Sequence, residues 1–286
     1  YRGFESHSLR QFNEMHNNSL NKIKYKLRRI TEYPLVELKD QKALNPPSQN
    51  IPPIVHQTWI NKKFGKTHAK SILKFRKTNK NLSFKIYSDE DIKEYMKSNW
   101  GRNKIYNIFK NSVIGPLKTD IFRYCILYDQ GGYYFDISRG CDVPLTKLHN
   151  NKSKFILTYE DTECYIPPSS KKIFDLKRPF NHILQWGLAF EKNNNFLKIL
   201  IKEIIKAYPL YKNKKFSNPK LAILNFTGPG MYTKVMRKYL SNNSIRNFKE
   251  LDIRFNGHGI FKLKGSQVRY HLEPSYTYLK DKKICL

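Results

Sequence analysis

Lys118-Thr119-Asp120-Ile121-Phe122-Arg123-Tyr124-Cys125-Ile126-Leu127-Tyr128-Asp129-Gln130-Gly131-Gly132-Tyr133-Tyr134-Phe135-Asp136-Ile137-Ser138 holds, in order, a helix, a stop and a strand. Ile121, Phe122, Cys125, Ile126 and Leu127 recur at helical spacing, which predicts a helix from Pro116 to Asp129. Gly131-Gly132 ends it, because glycine enters left-handed backbone without a Cβ clash. Tyr133-Tyr134-Phe135-Asp136-Ile137 then reads as a strand that carries Asp136 and Ser138 at its C-terminal end. Asp120 and Arg123 are three apart and share one helix face. Ligands of open α/β sheets bind beyond the C-terminal ends of strands. The stretch therefore predicts two carboxylates and a guanidinium at one cleft, a set suited to sugar hydroxyls and phosphates.

Outward from this stretch the pattern repeats. Ile51-Pro52-Pro53-Ile54-Val55-His56-Gln57-Thr58-Trp59 reads as a buried strand entered through prolines, with His56 a hydrogen-bonded core histidine. A basic helix follows around 68–77, then a strand at 84–87. Ser88 caps the next helix, and Asp89, Glu90 and Asp91 sit at the positive end of its dipole. A further strand is expected at 155–159. An amphipathic helix runs from Asn195 to Ala207 and is stopped by Pro209. Thr227-Gly228-Pro229-Gly230 reads as a tight loop facing donor or acceptor, and Gln185 and Trp186 as packing or acceptor-site residues. Strands alternating with helices predict an α/β layer fold with a mainly parallel sheet. Residues 1–50, polar and closed by Asn45-Pro46-Pro47-Ser48-Gln49-Asn50, read as a stem or accessory helical segment, with one catalytic domain over 51–286.

The 286 residues suffice for a sizeable core, and 40% hydrophobic residues with 19 Tyr and 18 Phe supply one. The formal net charge of +30, much of it in Lys/Asn-rich stretches at 61–63 and 212–215, reads either as solvated faces or as a basic surface for anionic partners such as phosphates, acidic glycans or anionic lipid. Nucleic acid would satisfy the same charge, but no helix-turn-helix, zinc finger or RNP-like motif accompanies it. Four cysteines without a CxxC pair argue against a zinc ribbon or a thioredoxin-like site and leave disulfides open. No apolar run reaches the roughly 18–20 residues of a membrane span. Membrane association through a preceding N-terminal segment or the basic surface stays open for a chain that begins at Tyr1. Sequons at Asn17, Asn81, Asn151 and Asn225 are compatible with a secretory setting.

The ordered motifs resemble glycosyltransferase family 32, whose pattern runs I-P-x-I-I-H-Q-x-W, then A-D-x-x-R-Y, then G-G-x-Y-x-D-x-D. The segments 185–186 and 227–233 are similar to its mannosyltransferase branch, and His271-Leu272-Glu273-Pro274-Ser275-Tyr276 resembles its closing H-x-x-x-S-W pattern. The resemblance covers roughly 51–277. It implies a GT-A type nucleotide-sugar-binding domain with helical additions, and transfer of a hexose from GDP-mannose or a UDP-hexose to a glycan, glycoprotein or glycolipid with retention at the anomeric carbon. By the same resemblance Asp120, Arg123 and Asp136 form the catalytic centre. Gln57, Trp59, Tyr134, Gly228, Ser275 and Tyr276 would contact the donor. Asp136, Ser138 and His271 would hold Mn2+ or Mg2+ at the diphosphate.

One position departs from the pattern. Ser138 stands where the family carries the second aspartate, and a hydroxyl is a poorer ligand than a carboxylate for a hard cation. Three consequences are open: weaker metal binding through Asp136 and His271, neutralisation of the diphosphate by Arg139 or a nearby lysine, or a weakened transferase-like protein that binds sugar nucleotide or glycan without efficient turnover.

Overall fold

The computed structural model describes residues 27, 29–242, 245, 247–268 and 279–286. His271, Ser275 and Tyr276 lie outside the described residues, as do residues 1–26 of the expected stem. Of the remainder of that segment, Val36–Glu37 pairs with Lys63–Phe64, and Gln41 bridges Phe84 at the sheet edge.

The central sheet has four strands: β1 (Ile54–Thr58), β2 (Ser83–Tyr87), β3 (Gly132–Phe135) and, later in the chain, β6 (Gly187–Phe190), in the order β2-β1-β3-β6. β1 is parallel to both β2 and β3, and only the edge strand β6 runs antiparallel. The mainly parallel α/β expectation therefore holds. A second sheet places β4 (Ile156–Glu163) between β5 (Asn181–Ile183) and β7 (Lys249–Asp252). It joins the first through a bridge between Phe155 and Phe190.

Helix α1 (Lys66–Thr78) connects β1 to β2, and α2 (Asp89–Trp100) follows β2. Ser88 and Asp91 close a reciprocal capping box at the start of α2, which satisfies two otherwise orphaned N–H groups. After α3 (Lys104–Asn111) comes α4 (Gly115–Gln130), buried continuously from Asp120 to Leu127. A helix apolar nearly all round belongs inside, and α4 lies in the core with α5 (Asn195–Ala207), whose Phe196, Leu200, Ile201 and Ile204 are buried.

The stop between α4 and β3 is built as expected. Gly131 has φ +66, and a Cβ there would lie 2.6 Å from the Lys192 nitrogen. Gly132 has φ +93, and a Cβ would lie 2.5 Å from the Ile54 carbonyl oxygen. Only glycine permits both the backbone conformation and the close approach of β1. The Gly131 carbonyl accepts from His56 Nε2 at 3.0 Å, and Tyr87 Oη lies 3.1 Å from His56 Nδ1. His56 is thus the core latch between β1, β2 and the α4–β3 turn.

The segment 227–230 differs from the expected loop. Helix α6 (Pro219–Phe226) ends at Thr227, and α7 (Pro229–Asn242) begins two residues later, so Pro229 and Gly230 are already helical. Proline at the first helical position needs no N–H partner and has the right φ. All four cysteines are buried and free.

Burial pushes the His56 imidazole down to about 4, with the Gly131 carbonyl opposing and Lys85 adding to the shift. The unfolded chain, with an ordinary value of 6.5, therefore takes up a proton that the native state refuses between these pH values. This contribution is complete above about pH 6.5 and is lost as pH falls toward about 4, for about 3 kcal/mol in all. His68 and His149, also lowered by burial, act in the same direction. Urea unfolding across that pH range is expected to show the decline, and His56→Gln to flatten it.

Candidate active site

Helix α4 and the end of β3 bring Asp120, Arg123 and Asp136 together. Arg123 Nη2 lies 3.3 Å from Asp120 Oδ1 and 3.0 Å from Asp136 Oδ1. Its Nη1 donates to the Gln185 carbonyl at 3.0 Å, just before β6. The Tyr134 ring lies 4.6 Å below the guanidinium carbon. Tyr134 itself is fully buried, and its hydroxyl meets Thr58 Oγ1 at 2.9 Å. It therefore backs Arg123 from the core, where direct contact with a donor was expected.

The two carboxylates differ in environment. Asp120 is enclosed: Gln185 Nε2 donates to Oδ1 at 3.1 Å and Thr227 Oγ1 to Oδ2 at 2.9 Å. Burial raises its carboxyl above the usual range, against the pull of Arg123 and of the Thr227 and Gln185 hydrogen bonds. The Asp136 side chain is 33% exposed and forms the open edge of the triad. Burial opposes the charge on Arg123, but Tyr134, Asp136 and Asp120 more than reverse this and raise its pKa. The guanidinium is a permanent cation held between one closed and one open carboxylate.

Several expected donor residues border this centre. Trp59 follows β1 and is partly buried; it stacks on Phe64 with centroids 6.0 Å apart and meets the edge of His68. His68 Nε2 in turn lies 3.0 Å from the Ile137 carbonyl oxygen, which ties the tryptophan to the Asp136–Ser138 segment. Gln57 is fully buried, and neither its amide oxygen nor its nitrogen has a hydrogen-bond partner among the described residues. Gly228 sits in the α6–α7 joint, where its N–H donates to the Ile223 carbonyl at 3.0 Å. Ser138 is partly buried, and its carbonyl accepts from Leu263 N–H at 2.8 Å. Among the described residues no three His, Cys, Asp or Glu side chains are gathered as metal ligands. For a divalent cation the described donor set is one carboxylate, Asp136, and one hydroxyl, Ser138.

Sequence reasoning named Arg139 and Trp186 but missed the wall they form beyond Ser138 with Phe261, Arg254 and Glu160. Arg139 lies with its guanidinium carbon 3.8 Å from the Phe261 ring centre and 5.7 Å from that of Trp186. Arg254 covers the same Phe261 ring at 4.6 Å and pairs with Asp161. Glu160 stands beside them, its carboxyl raised by burial against Trp186, Arg139 and Arg254. Arg254 begins a left-handed turn: Arg254 has φ 46, Phe255 φ 60, Asn256 φ 59 and Gly257 φ 84. Left-handed backbone costs about 1–2 kcal/mol per non-glycine residue. Surrounding bonds hold it there. Phe255 N–H donates to Thr158 Oγ1 at 2.8 Å, Asp252 N–H to Asn256 Oδ1 at 2.7 Å, and the Phe255 ring stacks on Phe135. Asn256-Gly257 was the one local signal for such a turn, since both residues tolerate this conformation.

The chain is similar in sequence to known glycosyltransferases. The family model for the glycosyltransferase sugar-binding region containing a DXD motif matches residues 32–155. The initiation-specific alpha-1,6-mannosyltransferase of Candida albicans is 27% identical over 215 residues, 68% of this chain and 54% of that protein. Its Schizosaccharomyces pombe counterpart is 25% identical over 201 residues, 67% of this chain and 49% of the relative. Inositol phosphoceramide mannosyltransferase 1 of S. pombe is 27% identical over 126 residues, 43% of this chain and 39% of the relative. The chain thus spans about half the length, or less, of the curated relatives it matches. Among solved structures, PaToxG glycosyltransferase has a TM-score of 0.49 at 17% identity, covering 78% of each chain.

The geometry separates structural from open charges. Arg123→Gln leaves Asp120 buried without its cation and is expected to cost about 3 kcal/mol or more. Asp136→Asn, at the exposed edge, is expected to cost under about 1 kcal/mol. Urea denaturation of both variants checks this; equal losses would make Asp136 a structural counter-ion only. By the region matched over residues 32–155, the chain is similar to the DXD-motif glycosyltransferases and resembles family 32.

Proposed function

We propose that this chain transfers a hexose from a nucleotide-sugar donor to a glycan or glycoconjugate acceptor, with GDP-mannose as the first donor to test and retention at the anomeric carbon. The observation that carries the reading is Arg123 bridging a closed and an open carboxylate at the C-terminal end of a parallel strand, the place where ligands of α/β sheets bind. Asp120 and Arg123 fix the charge pattern, and Asp136 offers its exposed carboxylate to donor hydroxyls or to a divalent cation. The Gln57 amide, without a hydrogen-bond partner among the described residues, lies on β1 just before Trp59 and supports a donor pocket there. The curated relatives named as mannosyltransferases favour mannose over other hexoses.

Mn2+ or Mg2+, when bound, would neutralise charge developing on the departing diphosphate. Asp136 and Ser138 would hold it, with His271 as the further expected ligand. None of the described residues is assigned as a covalent nucleophile, so the reading is a front-face reaction in which the leaving phosphate helps deprotonate the acceptor.

A panel of GDP-mannose, UDP-glucose, UDP-galactose and UDP-N-acetylglucosamine, read by thermal shift and donor hydrolysis with and without Mn2+, is expected to single out one donor. Asp136→Ala is expected to lower turnover of that donor at least about 100-fold. An unchanged rate would remove Asp136 from the chemistry. Proton NMR of the first product is expected to give the donor's own anomeric configuration, and inversion would overturn the front-face reading.

A further inference from the structure

Arg139 differs from the other two guanidinium groups of the site, Arg123 and Arg254. Arg123 is enclosed by two carboxylates, and Arg254 is paired with Asp161. Arg139 makes no ion pair among the described residues, and its Nε is buried without a hydrogen-bond partner. It is nevertheless fixed, because its planar guanidinium packs on Phe261 and against Trp186. The backbone places it as well: Arg139 N–H donates to the Asp136 carbonyl at 2.8 Å, which turns the chain directly after the open carboxylate. The Trp186 carbonyl accepts from Asp136 N–H at 2.9 Å, so one segment anchors both side chains.

We propose, resting on the nucleotide-sugar reading above, that Arg139 binds the donor's diphosphate and supplies part of the positive charge that a second carboxylate at position 138 would otherwise recruit as a metal ion. A held guanidinium with unused N–H groups is a fork for two phosphate oxygens. The contrast with Arg123 supports this. Arg123 is bonded to Asp120, Asp136 and the Gln185 carbonyl, whereas Arg139 has no ion pair among the described residues. An arriving anion would complete Arg139; it would find Arg123 already complete. Arg254, on the same Phe261 ring, is carried there by the left-handed turn and is paired with Asp161, which leaves the phosphate to Arg139.

The test is calorimetric, with GDP, UDP and the corresponding nucleosides as probes, in EDTA and in Mn2+. The intact chain is expected to bind one diphosphate in EDTA. Arg139→Gln is expected to weaken that diphosphate about tenfold or more and to leave the nucleoside unchanged. Arg139→Lys should recover part of the loss, which guards against a folding artefact. Ser138→Asp should weaken diphosphate binding in EDTA by pairing with Arg139 and strengthen it in Mn2+. Diphosphate affinity equal in the intact chain and Arg139→Gln overturns the inference and leaves the donor reading standing. Binding of nucleosides and diphosphates to neither form, in either buffer, overturns both.

Discussion

A buried guanidinium is the constraint around which this protein is arranged. Arg123 comes from the middle of a helix that is otherwise sealed from water, and a lone charge there would be prohibitively costly. The cost is met by three separate pieces of chain: Asp120 one turn back, Asp136 at the end of β3, and the Gln185 carbonyl before β6. Asp120 and the Gln185 carbonyl do this from inside, and the more exposed Asp136 from the rim. The helix, the strand end and the edge strand are therefore fixed relative to one another by electrostatics as well as by packing. Gly131-Gly132 makes the arrangement geometrically accessible, because the chain must turn from α4 into β3 within contact of β1.

The same logic separates what was legible in the sequence from what was not. α4, the double-glycine stop, β3 and the Ser88 cap are local features, written in periodicity and in residues with particular backbone or capping preferences. The i, i+3 spacing of Asp120 and Arg123 and the strand-end position of Asp136 gave the triad for the same reason. The roles of Tyr134 and Thr227 were harder, because both depend on partners far along the chain. Tyr134 looked like a donor contact but spends its hydroxyl on Thr58, and Thr227 looked like a loop residue but caps α6 and donates to Asp120. The expected loop at 227–230 failed because glycine and proline mark a helix start as readily as a turn. Nothing local announced the left-handed turn beyond Asn256-Gly257, or the meeting of Arg139 with Phe261, which only the tertiary fold creates.

The net charge of +30 acquires a narrower meaning at the site. Around the triad the charges are specific: Arg123 balanced, Arg254 paired and Arg139 held by aromatic rings without an ionic partner among the described residues. A lysine-rich surface raises the local concentration of any anion, which sets encounter rates. Selection among anions requires fixed donors with defined directions, and a stacked guanidinium provides them at low entropic cost.

Ser138 and Arg139 are best understood together. A carboxylate at 138 would adjoin Arg139 in the chain and compete with the donor's diphosphate for that guanidinium, or recruit a metal ion instead. A serine removes one negative charge from the mouth of the site and leaves the neighbouring cation unspent. Loss of the second acid thus need not leave the donor's diphosphate uncompensated. It shifts the balance from a recruited divalent ion toward a charge already covalently in place, and a charge in place requires no ion to be bound before the donor. What it gives up is coordination strength, because a guanidinium shares its charge over three nitrogens where a divalent ion concentrates two charges at one point. A site built this way would hold its donor over a wider range of metal concentration and stabilise the leaving diphosphate less strongly, which links the substitution at 138 to turnover as well as to binding.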